Sequence, residues 1–262
     1  MKQFSKSLLA VALLAATAGA ANASIQVGNN TTSEAYLSVY DSTQGLTFTL
    51  DLGLTLGDLV LNKSNESFSK SYDLAALTAG STGAKWSTFA ANLNAATTVY
   101  GVVASGTAGK LFATSDTNST PTKFLTLAVA TGAVSKLANH ISTVNQAALA
   151  DNAGTPEITS LNQSAIVSDS DTANTGQHNQ EGPFSTLNGG KSNAAADIAY
   201  GSIGNFVYYG GTAVPFVAVQ QWELAGNTLT YTAPVPLPAA VWMFGAGLMG
   251  VLGLTRRKNS AV

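Results

Sequence analysis

Several short stretches of this chain hold residue types that do chemistry elsewhere. Ser67-Phe-Ser-Lys70 has the S-x-x-K spacing of an acyl-transfer pair, in which a lysine takes the proton of a nucleophilic serine. No Lys-Thr-Gly follows it and no Gly-x-Ser-x-Gly occurs. In a serine-rich chain so short a pattern arises by chance. Asp169, Asp171 and Asn174 offer oxygen donors of the kind calcium takes, but Ala173 stands where a further ligand belongs and Gly176 comes two residues late. Asx-rich loops are more often plain turns. His140 and His178 have no histidine or cysteine neighbour at zinc-ligand spacing. S-T-L-N-G-G-K-S lacks the first glycine of a phosphate loop, with Ser185 in its place. Asn-x-Ser/Thr triplets at Asn30, Asn62, Asn65, Asn118 and Asn162 follow from the composition. No catalytic residue, cofactor-binding residue, cofactor or metal ligand is therefore predicted. A hydrolase whose carboxylates, such as Asp169 and Asp171, meet only in space needs no short motif and stays as an alternative.

Composition narrows the classes. Of the 12 basic residues, Lys2, Lys6, Arg256, Arg257 and Lys258 sit at the two ends, leaving seven lysines against 14 acids between them. A domain with no arginine and a net charge of −7 is a poor partner for phosphate backbones, so nucleic acid is set aside. The scattered charges read as a solvated surface. With no cysteine, there are no disulfides, no thiol nucleophile and no thiolate metal site. The domain must hold by burial, or with bound ions, and residues 24–233 are long enough for a core.

The elements that would position any site are mainly strands. E-A-Y-L-S-V-Y-D-S alternates, with Tyr36, Ser38 and Tyr40 on one face and Leu37 and Val39 on the other. G-L-T-F-T-L-D-L-G puts Leu46, Phe48, Leu50 and Leu52 opposite Thr47, Thr49 and Asp51, and Asp41–Gly45 between the two runs has turn chemistry. Trp86, Phe89 and Leu93 recur at helical spacing, and Val134, Leu137, Ile141, Val144 and Ala148 form a narrow stripe suited to a helix lying on a sheet. Strands are also predicted around 97–105, 110–115, 123–131, 205–211, 214–224 and 227–233, with a turn at Ala225-Gly226-Asn227. Residues 151–204 lose periodicity and read as either a long surface loop or a locally disordered stretch. The fold class is mainly β, a sandwich or a twisted antiparallel sheet with two or three short helices, with α+β as the alternative. The aromatics Trp86, Tyr208 and Trp222 would stack on sugars if exposed, but such residues are more often core.

The ends speak more plainly. Residues 1–23 have a basic start, an apolar stretch at Leu8–Ala15 and the small-x-small site Ala21-Asn-Ala23, the pattern of a signal peptide cut after Ala23. Near the other end, the apolar run Leu237–Leu254 would reach about 25 Å as a helix, close to a bilayer core. Arg256, Arg257 and Lys258 follow at once and would stay cytoplasmic. The precursor is then single-pass in the inner membrane with its domain outside.

Val-Pro-Leu-Pro-Ala-Ala, a glycine-rich apolar helix and Arg-Arg-Lys, over residues 234–262, resemble the PEP-CTERM sorting signal of exopolysaccharide-producing Gram-negative bacteria, in its VPLPA variant. The usual Pro-Glu-Pro is here Pro236-Leu237-Pro238. The resemblance implies recognition of Pro236, Leu237 and Pro238 by an exosortase, a membrane-embedded cysteine protease, with Arg256, Arg257 and Lys258 as the stop. It implies processing by exosortase after signal peptidase, with the outer domain released or transferred to the cell surface or extracellular matrix. The reading is a non-enzymatic protein at that place, whose Ser-, Thr- and Asn-rich strands would offer hydroxyls and amides to exopolysaccharide. The opening E-A-Y-L-S-V-Y and the closing W-E-L-A-G-N-T-L-T-Y look like recurring segments of such exported proteins, which carry no assigned activity. A permanently anchored adhesin is the other alternative.

Overall fold

The computed structural model describes residues 25–107, 110–116, 163–168, 198–210 and 216–233, together with 137, 141, 142, 144 and 145. The signal segment, the final apolar helix and the strand expected at 123–131 lie outside the described residues.

The chain is mainly β. The strands are β1 (Glu34–Asp41), β2 (Leu46–Thr55), β3 (Lys70–Asp73), β4 (Thr98–Ser105), β5 (Lys110–Asp116), β6 (Ser164–Ser168), β7 (Ile198–Ala199), β8 (Ile203–Gly210), β9 (Phe216–Ala225) and β10 (Thr228–Thr232). Among the described residues two short α-helices are complete, α1 (Leu56–Asn62) and α2 (Thr82–Ala90). All ten strands form one antiparallel sheet in the order β3-β10-β9-β8-β5-β4-β1-β2-β6, with β7 also paired to β4. The sheet curls into a half-barrel, so the expected twisted antiparallel sheet is found, and the described strands form no second sheet.

Local chemistry sets the hairpins. Between β1 and β2, Gly45 takes φ +63° and its N–H donates to the Asp41 carbonyl at 2.9 Å, while the Asp41 carboxylate accepts the Thr43 N–H. Between β9 and β10, Gly226 at φ +57° makes the expected turn. The helix α1, absent from the sequence reading, starts at a capping box: the Thr55 hydroxyl accepts the Asp58 N–H and the Asp58 carboxylate accepts the Thr55 N–H, each at 3.1 Å. α1 then buries Leu56 and Leu59.

Both faces of the sheet's centre are covered. The concave face holds Leu37, Val39, Phe48, Leu50, Tyr100, Phe112, Phe206 and Trp222, closed by Trp86 and Phe89 of α2. The convex face carries a second core, in which Leu137, Ile141 and Val144 pack on Tyr36, Val103, Leu111, Ala113, Ala165, Val167 and Val207. Residues 137, 141, 142, 144 and 145 are helical, so the described part of the predicted stripe does lie on a sheet.

Two expectations are corrected here. Thr47, Thr49 and Asp51 alternate away from the core leucines, yet they are buried too, because the second core extends over their face. The aperiodic stretch 151–204 contains β6, which pairs with β2, as well as β7 and the start of β8. Ser164-Ala-Ile-Val-Ser168 shows no apolar–polar alternation because both of its faces meet protein: Ala165 and Val167 join the convex core, and Ile166 packs against the concave one.

Candidate functional site

Three features of this sheet hold the chemically distinctive side chains among the described residues: an aromatic row on the concave face and two buried carboxylates. The row follows from register. Phe112 lies across from Tyr208, and Tyr208 across from Phe216. Directly opposed residues share a face, so these rings line up from the core outward. Phe112 is buried, with its ring centre 4.7 Å from that of Tyr208, which is half-buried. Phe216 at the open end is 38% exposed, and the Lys63 ammonium lies 5.4 Å from its ring centre. The Lys63 carbonyl accepts the Val219 N–H at 3.0 Å, which ties the end of α1 to β9 at this rim. Gln220, fully buried, donates from Nε2 to the carbonyls of Asn62 and Asn65 and reinforces the same tie.

Trp86 and Trp222 are core. Trp222 stacks on Tyr231 at 4.4 Å with Phe206 edge-on to both. Trp86 meets Phe48 edge-on and donates its indole N–H to Asn227 at 3.0 Å. Neither Trp86 nor Trp222 presents a face to a sugar. Of the three aromatics considered, only Tyr208 has exposed surface.

The two buried carboxylates contrast. Asp41 is saturated with donors: Oδ1 accepts from Thr43 N (2.8 Å) and Thr97 Oγ1 (3.1 Å), and Oδ2 from Asn94 N (2.9 Å) and Gln44 Nε2 (3.0 Å). Burial alone would push its pKa up, but these four donations together hold it below the usual carboxylate range. It binds the β1–β2 turn to the loop before β4. Asp51 has one described donor to its side chain, the Gly53 N–H at 2.8 Å. Burial, partly offset by that bond and reinforced by the charge of Glu34, pushes its carboxyl up to about 7. Glu34 accepts the Gln26 N–H at 2.8 Å and is itself raised by burial. Charges read as a solvated surface thus include two carboxylates inside the fold.

The remaining sequence candidates resolve as follows. Ser67 and Lys70 are both exposed, and the Lys70 ammonium sits 5.6 Å from the Phe68 ring centre. Asn30 accepts the Thr107 N–H at 2.9 Å, and Asn62 and Asn65 bond to one another at 3.1 Å, so these amides serve turns. Ala21, Ala23, His140, Asp169, Asp171, Asn174, His178, Ser185, Pro236, Leu237, Pro238, Arg256, Arg257 and Lys258 lie outside the described residues. Among the described residues no group of three or more His, Cys, Asp or Glu is placed to hold a metal, and no helix is long and apolar enough to cross a membrane. Sequence reasoning missed Asp51, Glu34 and Phe216. The only signal for the first was an acid inside an alternating strand.

Compared with known protein families, curated proteins and solved structures, the chain matches none.

Proposed function

We propose that this chain is an exported, non-enzymatic protein of the cell surface or exopolysaccharide matrix, delivered by a signal peptide and sorted by an exosortase. The observation that carries the reading is the order of Pro236-Leu237-Pro238, an 18-residue apolar run and Arg256-Arg257-Lys258 behind a signal-peptide pattern ending at Ala23. The spacing is compatible with the fold. Ile25, two residues past Ala23, is buried in the convex core, and β10 ends at Thr232, four residues before Pro236. A cut at either signal therefore spares every described strand.

The polysaccharide would meet the open end of the aromatic row, where Tyr208 and Phe216 offer ring surface and Lys63 a donor. The hydrolase alternative gains little support from Asp51 and Glu34. They flank the covered convex face, and the carboxyl that burial raises to about 7 is on a residue only 3% exposed.

The test is the intact mass of the protein from surface and spent-medium fractions of its host. The expected mass lacks Met1–Ala23 and the segment after Pro238. A mass retaining Arg256, Arg257 and Lys258, found only in membranes, would refute sorting and leave a permanently anchored adhesin.

A further inference from the structure

At one end of the convex face, register brings Asp51, Glu34 and Gln163 to one stretch of the sheet, and one of their oxygens, Gln163 Oε1, is buried without a donor. Register places them. Tyr36 of β1 lies directly across from Asp51 of β2, and the Asp51 N–H donates to the Gln163 carbonyl at 2.9 Å, extending the β2–β6 ladder by one residue. Gln163 is therefore the residue across from Asp51 on the other side, with its side chain on the same face. Ala165 and Val167, two and four residues further on, do face the convex core, as this alternation requires. Glu34 precedes Tyr36 by two residues and is the diagonal neighbour of Asp51, at a reach of about 7–8 Å between backbones. The β-bulge between Glu34 and Tyr36, with Gly53 at φ +61°, bends β2 at this point.

The polar accounting is incomplete. Asp51 is 3% exposed and Gln163 is 5% exposed. The Gln163 Oε1 atom is buried with no hydrogen-bond partner. Asp51 Oδ1 takes the Gly53 N–H and Glu34 Oε2 takes the Gln26 N–H, while no described bond reaches Asp51 Oδ2 or Glu34 Oε1. A buried amide oxygen left without a donor is destabilising, so its persistence on the face that also carries two carboxylates calls for a partner. No basic side chain is described as bonding to either carboxylate. The set is all oxygen and carries up to two negative charges, the chemistry that hard divalent cations take and that zinc or copper sites do not resemble.

We propose that Asp51, Glu34 and Gln163 form a binding site for a divalent cation of the calcium type. Asp51 and Glu34 supply charge, Gln163 supplies a neutral oxygen, and half-exposed Glu34 is the side from which the ion and its remaining waters enter. The ion joins β1, β2 and the start of β6 at the edge of a sheet that has no disulfide. The raised proton affinity of Asp51 is the expected counterpart, since a carboxyl without its cation keeps a proton instead.

The test uses the purified full-length chain in detergent, with calcium chloride as the probe. The unfolding midpoint is measured at pH 8 in excess EDTA and in millimolar calcium, and terbium is then bound in place of calcium. Calcium is expected to raise the midpoint by several degrees. Terbium emission should be sensitised by tyrosine excitation, because Tyr36 lies next to Asp51. Asp51→Asn and Glu34→Gln should each abolish the calcium shift and cut the terbium emission at least tenfold. If Asp51→Asn fails to fold, Glu34→Gln, at a half-exposed position, decides. A wild-type midpoint indifferent to calcium overturns the proposal. So does a calcium response or terbium signal that persists unchanged in Glu34→Gln, which would place the ion elsewhere on the chain.

Discussion

Asp41→Asn tests the reading of the β1–β2 turn most directly. The substitution keeps the size and shape of the side chain and turns one acceptor oxygen into an NH2 donor. In the native fold Oδ1 and Oδ2 each accept two hydrogen bonds. Whichever way the asparagine amide is oriented, one pair of donors meets a donor. With the amide facing Asn94, that backbone N–H loses its partner. Gln44 could reverse its own amide, but its Nε2 also donates to the Phe89 carbonyl at 3.2 Å, which the reversal would break. One to two charge-assisted bonds are lost, at about 1.5–3 kcal/mol each, so the variant should lose about 1.5–6 kcal/mol. That is a large share of the stability of an ordinary domain, about 5–15 kcal/mol. The assay is the urea midpoint of wild type and variant across pH. Because the folded pKa of Asp41 is depressed, its stabilisation is present above the ordinary carboxylate pKa and is lost as pH falls through the folded value. The gap between the two proteins should be widest near neutrality and close in acid. A loss below about 1 kcal/mol at pH 7, or a gap that widens in acid, would refute the assignment of Asp41 as an ionised hub.

Asp51 should behave in the opposite sense. In EDTA its raised pKa makes wild-type stability fall as pH rises from about 4 to about 7, so Asp51→Asn should match wild type in acid and exceed it at pH 8 in urea titrations. Gly83→Ala should cost about 1–3 kcal/mol, since a Cβ there would lie 2.7 Å from the Leu77 carbonyl oxygen; thermal unfolding would show it. Trp222→Ala should cost about 3–5 kcal/mol and remove the ring pair with Tyr231, visible in near-UV circular dichroism. Phe216→Ala should leave the unfolding midpoint within a degree or two of wild type yet weaken retention on the host's exopolysaccharide several-fold; unchanged retention would remove the aromatic rim from the functional reading.

What the sequence made legible was what alternation can report. The β1–β2 hairpin, β4, β5 and the β9–β10 turn were readable because each has one strongly apolar face and Asx or glycine at its turn. The buried stripe at Leu137, Ile141 and Val144 was readable from its 3, 4, 3 spacing. β6 was not, because a strand covered on both sides loses its period, and α1 was not, because Thr55 and Asp58 look like loop residues until their hydrogen bonds are seen. Asp51 was legible as a residue facing away from the leucines but not as a buried one. Whether that face meets water is decided by an element about ninety residues away in the chain. The ends are the reverse case, since their signals are linear strings and need no fold to be read.

The place of β10 has a mechanical consequence. It sits between β9 and β3, paired on both sides, although it is the last strand described. Tension applied to the chain beyond Ala233 therefore loads two ladders together, where a peripheral strand would load one. Behind β3 the strain passes on through the Tyr72 hydroxyl, which holds the Leu52 carbonyl of β2 at 2.8 Å across the open side of the half-barrel. A protein tethered at this end and tugged by its surroundings would yield last where it is held.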